Sequence, residues 1–304
     1  MQDGRILLTG ATGFVGRHVE QRARLKGLTV LPFEGDLREP GTTLAAVRAA
    51  APDAVVHLAS RKPSASSDRW ALLADEVAMA GNLFRALQDA APAAALLIAG
   101  SAAQYGAGAR APLSESAPLL PVSAYGAVKT VLERACREEA LRGGTRVIWA
   151  RSFNCLGPGQ QPNTPAADWA RQVASAEAAG GGVVRTGSLD VVRDFLDVRD
   201  VADAYLALIA SDFDGVVNVG SGRATRLEEL AQLFARRAQA PVTLELDPAL
   251  ERSGDPPQVV ANVDLVHSVT AWRPSWTLEQ SVDDMLGAAR QALAGAPAST
   301  VGGR

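Results

Sequence analysis

Short apolar runs alternate with longer amphipathic stretches along the first half of the chain. The apolar runs have the length of buried strands and lie at 5–9, 28–33, 54–59, 94–100 and 145–150. The stretches between them have the length of helices and lie at about 15–26, 43–51, 70–90 and 122–141. Gly143 and Gly144 are typical of a helix end. This alternation predicts βαβ units around a parallel sheet, that is, an α/β doubly wound fold.

The pattern changes after Arg151. The segment "NCLGPGQQPNTP" is dense in Gly, Pro and Asn, which predicts a loop that leads into a second region. Beyond it we expect helices near 165–179, 201–210, from 227 and near 278–294, and strands near 183–185 and at "DFLDV", "VVNVG" and "VTLEL". We therefore predict a larger domain at 1–152, rejoined by about 190–222, and a smaller α/β domain at 153–304 with a disordered tail at about 295–304.

Composition narrows the possible classes of protein. With 47% hydrophobic and 21% charged residues and a formal net charge of −3, the chain resembles soluble globular proteins and lacks the basic excess of nucleic-acid-binding proteins. Cys136 and Cys155 are the only cysteines, and their spacing indicates neither a disulfide framework nor a metal site. No signal peptide precedes "RILLTG", and no apolar run has the length of a membrane span. We expect a cytoplasmic protein with free thiols, no metal, no nucleic-acid partner and no membrane association.

Three glycines lie at the junction of the first predicted strand and helix, in "LLTGATGFVG": Gly10, Gly13 and Gly16. Glycine permits a tight turn and a close backbone approach, and a helix N-terminus offers unpaired N–H groups to a pyrophosphate. The alternative is a tight strand–helix turn that binds no ligand. Because the pattern stands at the start of a βαβ unit, it predicts a dinucleotide site. The neighbouring residues expected to contact the same dinucleotide are Thr12, Phe14, Val15, Leu37, Leu58, Ala59 and Ser60.

An acidic residue follows at the end of the second predicted strand, as expected about 20 positions after such a turn. A carboxylate at Glu34 would accept hydrogen bonds from the adenosine ribose and repel a 2′-phosphate, which favours NAD over NADP. Asp36 lies close enough to make the same contact, or it serves as a turn or capping residue. Arg38 would soften the repulsion of a phosphate.

A tyrosine and a lysine share one face of a predicted helix. Tyr125 and Lys129 are separated by one helical turn, and an ammonium near a phenol stabilises the phenolate, which suits acid–base chemistry near neutral pH. Taken alone, this spacing also fits an exposed helix face. Together with the glycine turn and with Ser101 at the end of the apolar run 94–100, it predicts a proton-transfer site. We expect His57 to pack at a strand end beside the cofactor rather than to take part in catalysis.

A series of motifs runs in a recognisable order: "TGATGFVG", "HLAS", "GSAAQYG", "YGAVK", "RSFN", "VRDFLDVRDV" and "NVGSG". Over about 1–290 the chain resembles the extended short-chain dehydrogenases/reductases that act on nucleotide sugars, and its second half is most similar to GDP-4-keto-6-deoxy-D-mannose reductases. The resemblance implies a Rossmann domain that binds NAD(P) and a smaller domain that binds the nucleotide sugar. It also implies a homodimer whose interface packs two helices from each subunit.

The resemblance also implies roles for single residues. Ser101 would hydrogen-bond the reacting sugar oxygen, Tyr125 would donate or accept the proton, and Lys129 would hold the nicotinamide ribose and tune Tyr125. One departure concerns the helix before Gly81, where many relatives have an Asn at the position of Ala78, while Asn82 follows the glycine here.

The substrate diphosphate should meet cations and polar groups. By resemblance, Arg193 and Asn154 would contact the diphosphate, and Arg252 and Asp255 in "ERSGDPP" would lie near the phosphate and the nucleoside ribose. The alternatives are an ion pair of Arg193 with Asp194 or Asp197, and a loop ion pair between Arg252 and Asp255.

The residues that follow Ser101 help to separate the reactions of this scaffold. Related 4,6-dehydratases have acidic residues there, whereas this chain has Ala102 and Ala103, so dehydration is disfavoured. A ketoreductase needs a hydride from NAD(P)H and one proton, which Ser101, Tyr125 and Lys129 can deliver. We therefore favour reduction of the 4-keto group of a GDP- or dTDP-linked 4-keto-6-deoxyhexose. The alternative is a nucleotide-sugar 4-epimerase with retained NAD; a 4,6-dehydratase and a non-catalytic NAD-binding sensor are less favoured.

Overall fold

The computed structural model describes residues 3–61, 68–107, 110–162, 164–251 and 256–295. Its helices are α1 (Phe14–Leu25), α2 (Pro40–Ala50), α3 (Arg69–Ala90), α4 (Ala124–Gly143), α5 (Pro165–Ala178), α6 (Val198–Ala210), α7 (Leu227–Arg236), α8 (Asp264–Val269) and α9 (Leu278–Ala294). Its strands are β1 (Arg5–Thr9), β2 (Thr29–Pro32), β3 (Ala54–His57), β4 (Ala95–Ser101), β5 (Val147–Ser152), β6 (Asn154–Leu156), β7 (Gly182–Thr186), β8 (Val192–Arg193), β9 (Phe195–Asp197), β10 (Gly215–Val219), β11 (Thr225–Arg226), β12 (Val242–Leu246) and β13 (Gln258–Val259). Within these ranges, no helix is both long and apolar enough to cross a membrane.

The described residues divide into two compact units. The first comprises the chain up to 155, then 193–224 and 256–275, and the second comprises 156–192, 225–251 and 276–295. The sequence places one return of the chain into the first unit, near 190–222. The structure contains a further return at 256–275, which carries β13 and α8, two elements that the sequence patterns did not predict. The predicted tail at about 295–304 lies outside the described residues after 295.

A parallel sheet forms the centre of the first unit. In the described part of the chain, its strand order is β2-β1-β3-β4-β5-β10, and each neighbouring pair is parallel. The predicted α/β doubly wound fold is confirmed. The chain runs outward from β1 in one direction to β2 and in the other to β3, β4 and β5, so the carboxyl ends of β1 and β3 flank a topological switch point, where ligands bind in such sheets.

Both faces of this sheet are covered because alternate side chains of each strand point to opposite sides. Along β1, Ile6 and Leu8 pack into a core with α1 and α6, whereas Leu7 packs into a second core with α2, α3 and α4. Helix α4 ends at Gly143, and Gly144 takes up the left-handed conformation (φ +68°) that the glycine pair predicts.

The second unit has its own layer of helices on a short parallel pair, β7 and β12. Helix α5 packs against β7 and contacts both α7 and α9. Trp169 meets Phe234 edge to face at 6.1 Å between ring centroids, and Arg290 binds Glu177 at 2.7 Å. In both units, the strands and helices predicted after Arg151 all have counterparts, each within a few residues of its expected bounds.

A histidine and a threonine join the carboxyl ends of β1 and β3. Thr9 Oγ1 lies 2.7 Å from His57 Nδ1 and accepts hydrogen bonds from Leu58 N (3.2 Å) and Ala59 N (3.1 Å). Burial first, and the nearby Lys129 ammonium second, lower the pKa of His57 from 6.5 to about 4. His57 is therefore neutral near pH 7, and it packs at a strand end as the sequence predicts.

Acidification should destabilise the protein through His57. Because the folded-state pKa is about 4, against an ordinary 6.5, the unfolded chain binds a proton in this window that the folded protein does not bind. The contribution of His57 to the free energy of unfolding is complete above pH 6.5, decreases as the pH falls, and has dropped by about 3 kcal/mol near pH 4. Denaturant titrations of the wild type and of His57→Asn, which cannot titrate, measure this difference.

The wild type should lose more free energy of unfolding than His57→Asn between neutral pH and about pH 4. An NMR titration of the imidazole in the wild type provides a direct check that does not depend on the variant. Equal losses in both proteins, or an imidazole that titrates at its ordinary pKa, would show the prediction to be wrong.

Candidate active site

The glycine turn after β1 requires glycine for steric reasons. Gly10 has φ +72°, and a Cβ atom there would lie 2.8 Å from the backbone nitrogen of Ala59. A Cβ atom on Gly16 would lie 2.1 Å from the carbonyl oxygen of Gly10. Any residue other than glycine at positions 10 and 16 would therefore prevent the close approach of three segments: the turn, the start of α1 and the loop after β3.

The N-terminus of α1 opens into this turn. Helix α1 begins at Phe14, and no side chain among the described residues caps it at Gly13. The first N–H groups of a helix have no partner within it, so those of Phe14, Val15 and Gly16 are oriented to bind a pyrophosphate. Together with the close backbone approach at Gly10 and Gly16, this arrangement fits a dinucleotide. Thr12 lies within the same turn, and the loop with Leu58, Ala59 and Ser60 borders it.

The two acidic residues after β2 lie in different surroundings. Arg38 forks onto Asp36, with Nη2 to Oδ2 at 2.6 Å and Nε to Oδ1 at 3.0 Å, and it also reaches Asp75 on α3 at 3.3 Å. The hydrogen bonds from Arg38 lower the pKa of Asp36 to about 2. Glu34 is exposed at the end of the strand. Asp36 is thus already bound by an arginine, whereas Glu34 is exposed and accessible to a ribose.

A hydrogen bond joins the loop after β2 to α3. Leu37 packs its side chain into the core, and its carbonyl oxygen accepts a hydrogen bond from Asn82 Nδ2 at 2.8 Å. Asn82, the residue after Gly81, therefore positions the loop that carries Asp36.

Ser101 ends β4 and begins a single helical turn over Ala102–Gln104. Its Oγ accepts a hydrogen bond from Ala103 N at 3.2 Å, and its backbone N–H donates to Gln104 Oε1 at 3.0 Å. A Cβ atom on Gly126 would lie 2.3 Å from the carbonyl oxygen of Ala103. The turn after Ser101 thus contacts the first turn of α4, which carries Tyr125.

Tyr125 and Lys129 occupy one face of α4, as their spacing predicts. The Lys129 Nζ lies 5.8 Å from the centroid of the Tyr125 ring, and Tyr125 is partly exposed whereas Lys129 is buried. Lys129 Nζ also donates to Glu76 Oε2 on α3 at 2.9 Å. Glu76 is the main residue that the sequence analysis missed; its only signal is a carboxylate in the middle of a helix that packs against α4.

A buried polar network lies beneath Ser101. Gln104 Nε2 donates to Glu133 Oε2 at 2.7 Å, and Gln104 Oε1 also accepts from Trp149 Nε1 at 3.1 Å. Arg151 on β5 binds both oxygens of Glu133, at 2.8 and 2.5 Å. Glu133 is one turn beyond Lys129 on α4, so this network connects the Ser101 turn, α4 and β5. None of these residues was among the sequence candidates.

The tyrosine of "GSAAQYG" is a structural residue. Tyr105 is fully buried, donates its hydroxyl hydrogen to Asn218 Oδ1 at 2.6 Å, and accepts from Arg151 Nη1 at 3.0 Å. Burial raises its pKa above the ordinary value. It therefore remains a neutral phenol, and Tyr125 is the tyrosine that is accessible for proton transfer.

Two of the predicted substrate residues lie side by side. Asn154 is exposed on β6, and both its backbone N–H and its Nδ2 donate to the carbonyl oxygen of Asp194 at 3.1 Å. Arg193, the preceding residue, donates to the carbonyl oxygen of Pro256 at 2.8 Å. Arg252 and Asp255 lie outside the described residues.

A buried carboxylate organises the loops around Arg193. Asp194 is fully buried and accepts from Ser221 N (2.8 Å), Ser221 Oγ (2.6 Å), Gly222 N (2.9 Å) and Ala261 N (3.1 Å). Asp197 binds Arg199 at 2.8 Å. The carboxylates considered as ion-pair partners for Arg193 thus have these other donors. Within the described residues, no group of three or more His, Cys, Asp or Glu side chains is arranged to hold a metal ion.

Comparisons with known proteins identify relatives over more than nine-tenths of the chain. The GDP-6-deoxy-D-mannose reductase of Pseudomonas aeruginosa is 34% identical over 292 residues, which cover 93% of this chain and 96% of the relative. The UDP-glucose 4-epimerase of Rhizobium meliloti is 26% identical, with 91% and 94% covered. The solved structure of RMD from Pseudomonas aeruginosa complexed with NADPH has a TM-score of 0.87 and 31% identity, with 95% and 99% covered.

A family model supports the same assignment. The model of the NAD dependent epimerase/dehydratase family matches residues 6–220, which contain the glycine turn, Ser101, Tyr125, Lys129 and Arg193. These comparisons confirm that the chain is an extended short-chain dehydrogenase/reductase, and they confirm the predicted NAD(P) cofactor. The protein is an NAD(P)-dependent oxidoreductase and belongs to the NAD dependent epimerase/dehydratase family.

Proposed function

We propose that this protein reduces the 4-keto group of a nucleotide-linked 4-keto-6-deoxyhexose, a GDP- or dTDP-sugar, to the 6-deoxyhexose with NAD(P)H. The observation that carries the proposal is the turn after Ser101, which contacts the first turn of α4 and has one hydroxyl and two alanines where related dehydratases have acids. The similarity to a GDP-6-deoxy-D-mannose reductase over 93% of the chain supports the substrate class.

Reduction needs a hydride, which the reduced nicotinamide supplies when bound, and one proton. Ser101 Oγ accepts a hydrogen bond from Ala103 N, which leaves its own hydrogen for the ketone oxygen of the sugar. Tyr125 donates the proton to this oxygen as it gains charge. Lys129, held beside the Tyr125 ring, stabilises the phenolate that remains.

The environment of the two alanines disfavours dehydration. Ala102 packs into a small core with Tyr105 and Phe153, and Ala103 is fixed by its backbone contacts to Ser101 and Gly126. Neither side chain can remove a proton from C5 or protonate a departing oxygen at C6. Dehydration would require acid–base groups from elsewhere in the chain.

A nucleotide-sugar 4-epimerase with retained NAD is the second candidate. It needs the same serine, tyrosine and lysine, and the similarity to the UDP-glucose 4-epimerase of Rhizobium meliloti favours it over the remaining alternatives. The two reactions differ in their use of the cofactor: a reductase consumes one reduced cofactor per product, whereas an epimerase consumes none.

The substrate diphosphate would bind near Asn154 and Arg193. The backbone around Asp194 holds both residues at one edge of the first unit, and a guanidinium matches phosphate oxygens in geometry and charge. We extend the proposal to Arg252 and Asp255 near the phosphate and nucleoside ribose.

The first unit carries an exposed apolar surface on α3 and α4. Trp70, Val122 and Val131 are 75%, 56% and 50% exposed and border a groove of about 370 Å³ between the two helices. Isolated exposed apolar residues are common, but a continuous apolar surface marks an interaction site. We propose that a second copy of the chain packs α3 and α4 against this surface to form a homodimer.

Tyr125→Phe should abolish the reaction without loss of cofactor binding. The variant retains the ring but not the proton, so the turnover number should fall by about 10²- to 10⁴-fold. Oxidation of NADH or NADPH in the presence of GDP- and dTDP-4-keto-6-deoxyhexoses measures turnover, and quenching of protein fluorescence measures binding. If the wild type shows no turnover and the variant matches it in every cellular role, the sensor alternative is correct instead.

Glu34→Ala should shift the cofactor preference from NADH towards NADPH by about tenfold in the ratio of dissociation constants. The carboxylate that binds the ribose and repels a 2′-phosphate is removed, whereas Asp36 remains bound to Arg38. Glu39→Ala, an exposed acid nearby, is the matched control and should leave the ratio unchanged. The proposed NAD preference differs from the NADPH found with RMD, so it rests on Glu34. If only Asp36→Ala changes the ratio, the ribose ligand is Asp36.

Val131→Glu should convert the dimer to a monomer, because it buries a charge in the proposed interface. Light scattering coupled to gel filtration measures the mass of the wild type and the variant. Leu246→Glu, which changes an equally apolar and 65% exposed residue on β12, is the control and should remain dimeric. A monomeric wild type, or a dimer that Val131→Glu does not disturb, contradicts this interface.

A further inference from the structure

The ion pair between Glu76 and Lys129 is shielded from water. Only 1% of the Glu76 side chain and 4% of the Lys129 side chain are exposed, and Nζ lies 2.9 Å from Oε2. A buried ion pair adds little stability over apolar residues of the same size, because both charges lose their hydration. Its presence therefore indicates that one of the two charges serves another purpose. Lys129, on the same face as Tyr125, is that charge, and Glu76 is its partner.

The other oxygen of Glu76 binds the loop after β3. Oε1 accepts from Ser60 Oγ at 2.7 Å and from the backbone N–H of Arg61 at 3.0 Å. This loop also approaches the glycine turn at Gly10, where the dinucleotide is expected to bind. A single carboxylate thus connects the cofactor loop with the helix that carries the proton-transfer pair.

The same contact determines the direction of the lysine hydrogens. An ammonium group has three hydrogens, and one of them is donated to Glu76. Two remain for acceptors on the side of Tyr125 and of the bound nicotinamide ribose. Ala78, two residues beyond Glu76 on α3, has no polar group that could take over this role.

The ion pair of Glu76 and Lys129 also carries no net charge beside the nicotinamide ring, whose own charge differs between the oxidised and reduced forms. The oxidised nicotinamide ring is a cation, whereas the reduced ring is neutral. With Glu76 ionised, the pair has no net charge and tolerates either form. Without this carboxylate, the Lys129 ammonium would repel the oxidised ring across a region from which water is excluded.

We propose that Glu76 is the positioning residue for Lys129 and its counter-charge, and that it allows the site to hold the oxidised cofactor as well as the reduced one. The inference rests on the proposed function only in that Lys129 faces the nicotinamide ribose. It does not depend on which sugar is reduced.

The test measures equilibrium binding of oxidised and reduced cofactor to the intact protein without sugar substrate. Glu76→Gln keeps the shape of the side chain and removes its charge. We expect the dissociation constant of the oxidised form to rise about tenfold relative to that of the reduced form. Glu76→Asp keeps the charge on a shorter side chain, so the ratio should stay within about twofold of the wild type while the turnover number falls.

Asp75→Asn is the matched control, since it removes the neighbouring carboxylate on α3, which binds Arg38 and Arg61 near the surface. Any effect of Asp75 on the adenosine part of the cofactor is the same for the oxidised and reduced forms. The ratio of their two dissociation constants should therefore not change. The proposal is overturned if Glu76→Gln binds both forms with the wild-type ratio, or if Glu76→Asp shifts the ratio as much as Glu76→Gln does. Failure of every ketosugar to oxidise the cofactor would refute the reductase function and leave this binding result intact.

Discussion

The contact between the carbonyl group of Ala103 and the α-carbon of Gly126 brings the two halves of the candidate active site together. Ser101 belongs to the end of a sheet strand and Tyr125 to a helix on one face of that sheet, and only glycine at position 126 lets the two backbones approach this closely. Beneath the contact, Glu133 accepts hydrogen bonds from both Gln104 and Arg151 in a buried network. A buried polar network whose hydrogen bonds are satisfied favours one arrangement of its side chains. The packing of the core therefore fixes the position of Ser101 relative to α4.

The proposed chemistry follows from how few groups the candidate site contains. In the proposed reaction, one hydroxyl polarises a ketone oxygen, one phenol supplies a proton, and one ammonium stabilises the phenolate. Ala102 and Ala103 contribute shape and no acid–base function. The charge of the ammonium is in turn matched by Glu76, so a site that exchanges a cationic for a neutral nicotinamide contains a neutral ion pair. The cofactor and proton-transfer regions are thus coupled through charge as well as through backbone contacts.

Sequence patterns predicted the parts of this molecule that depend on local periodicity. The strands of the central sheet and the helices between them follow from apolar runs and glycine punctuation, and the Tyr125 and Lys129 pair follows from helical spacing. Glu76, Gln104 and Glu133 could not be found in this way, because their function depends on partners distant in the chain. The strands β6, β8, β11 and β13 contain two or three residues each, too few for a period to be detected. The sequence left open whether Asp36 could also make the ribose contact expected of Glu34, and it could not show that Arg38 binds the Asp36 carboxylate.

Transfer of deuterium from the reduced cofactor to the sugar tests the central claim most directly. The wild type would be incubated with a GDP- or dTDP-4-keto-6-deoxyhexose and nicotinamide cofactor deuterated at the hydride position, and the product analysed by NMR. We expect one deuterium at C4 of a 6-deoxyhexose and one cofactor oxidised for each product formed. Interconversion of UDP-hexoses with no deuterium incorporated and no net oxidation of added cofactor would contradict the reductase and establish an epimerase.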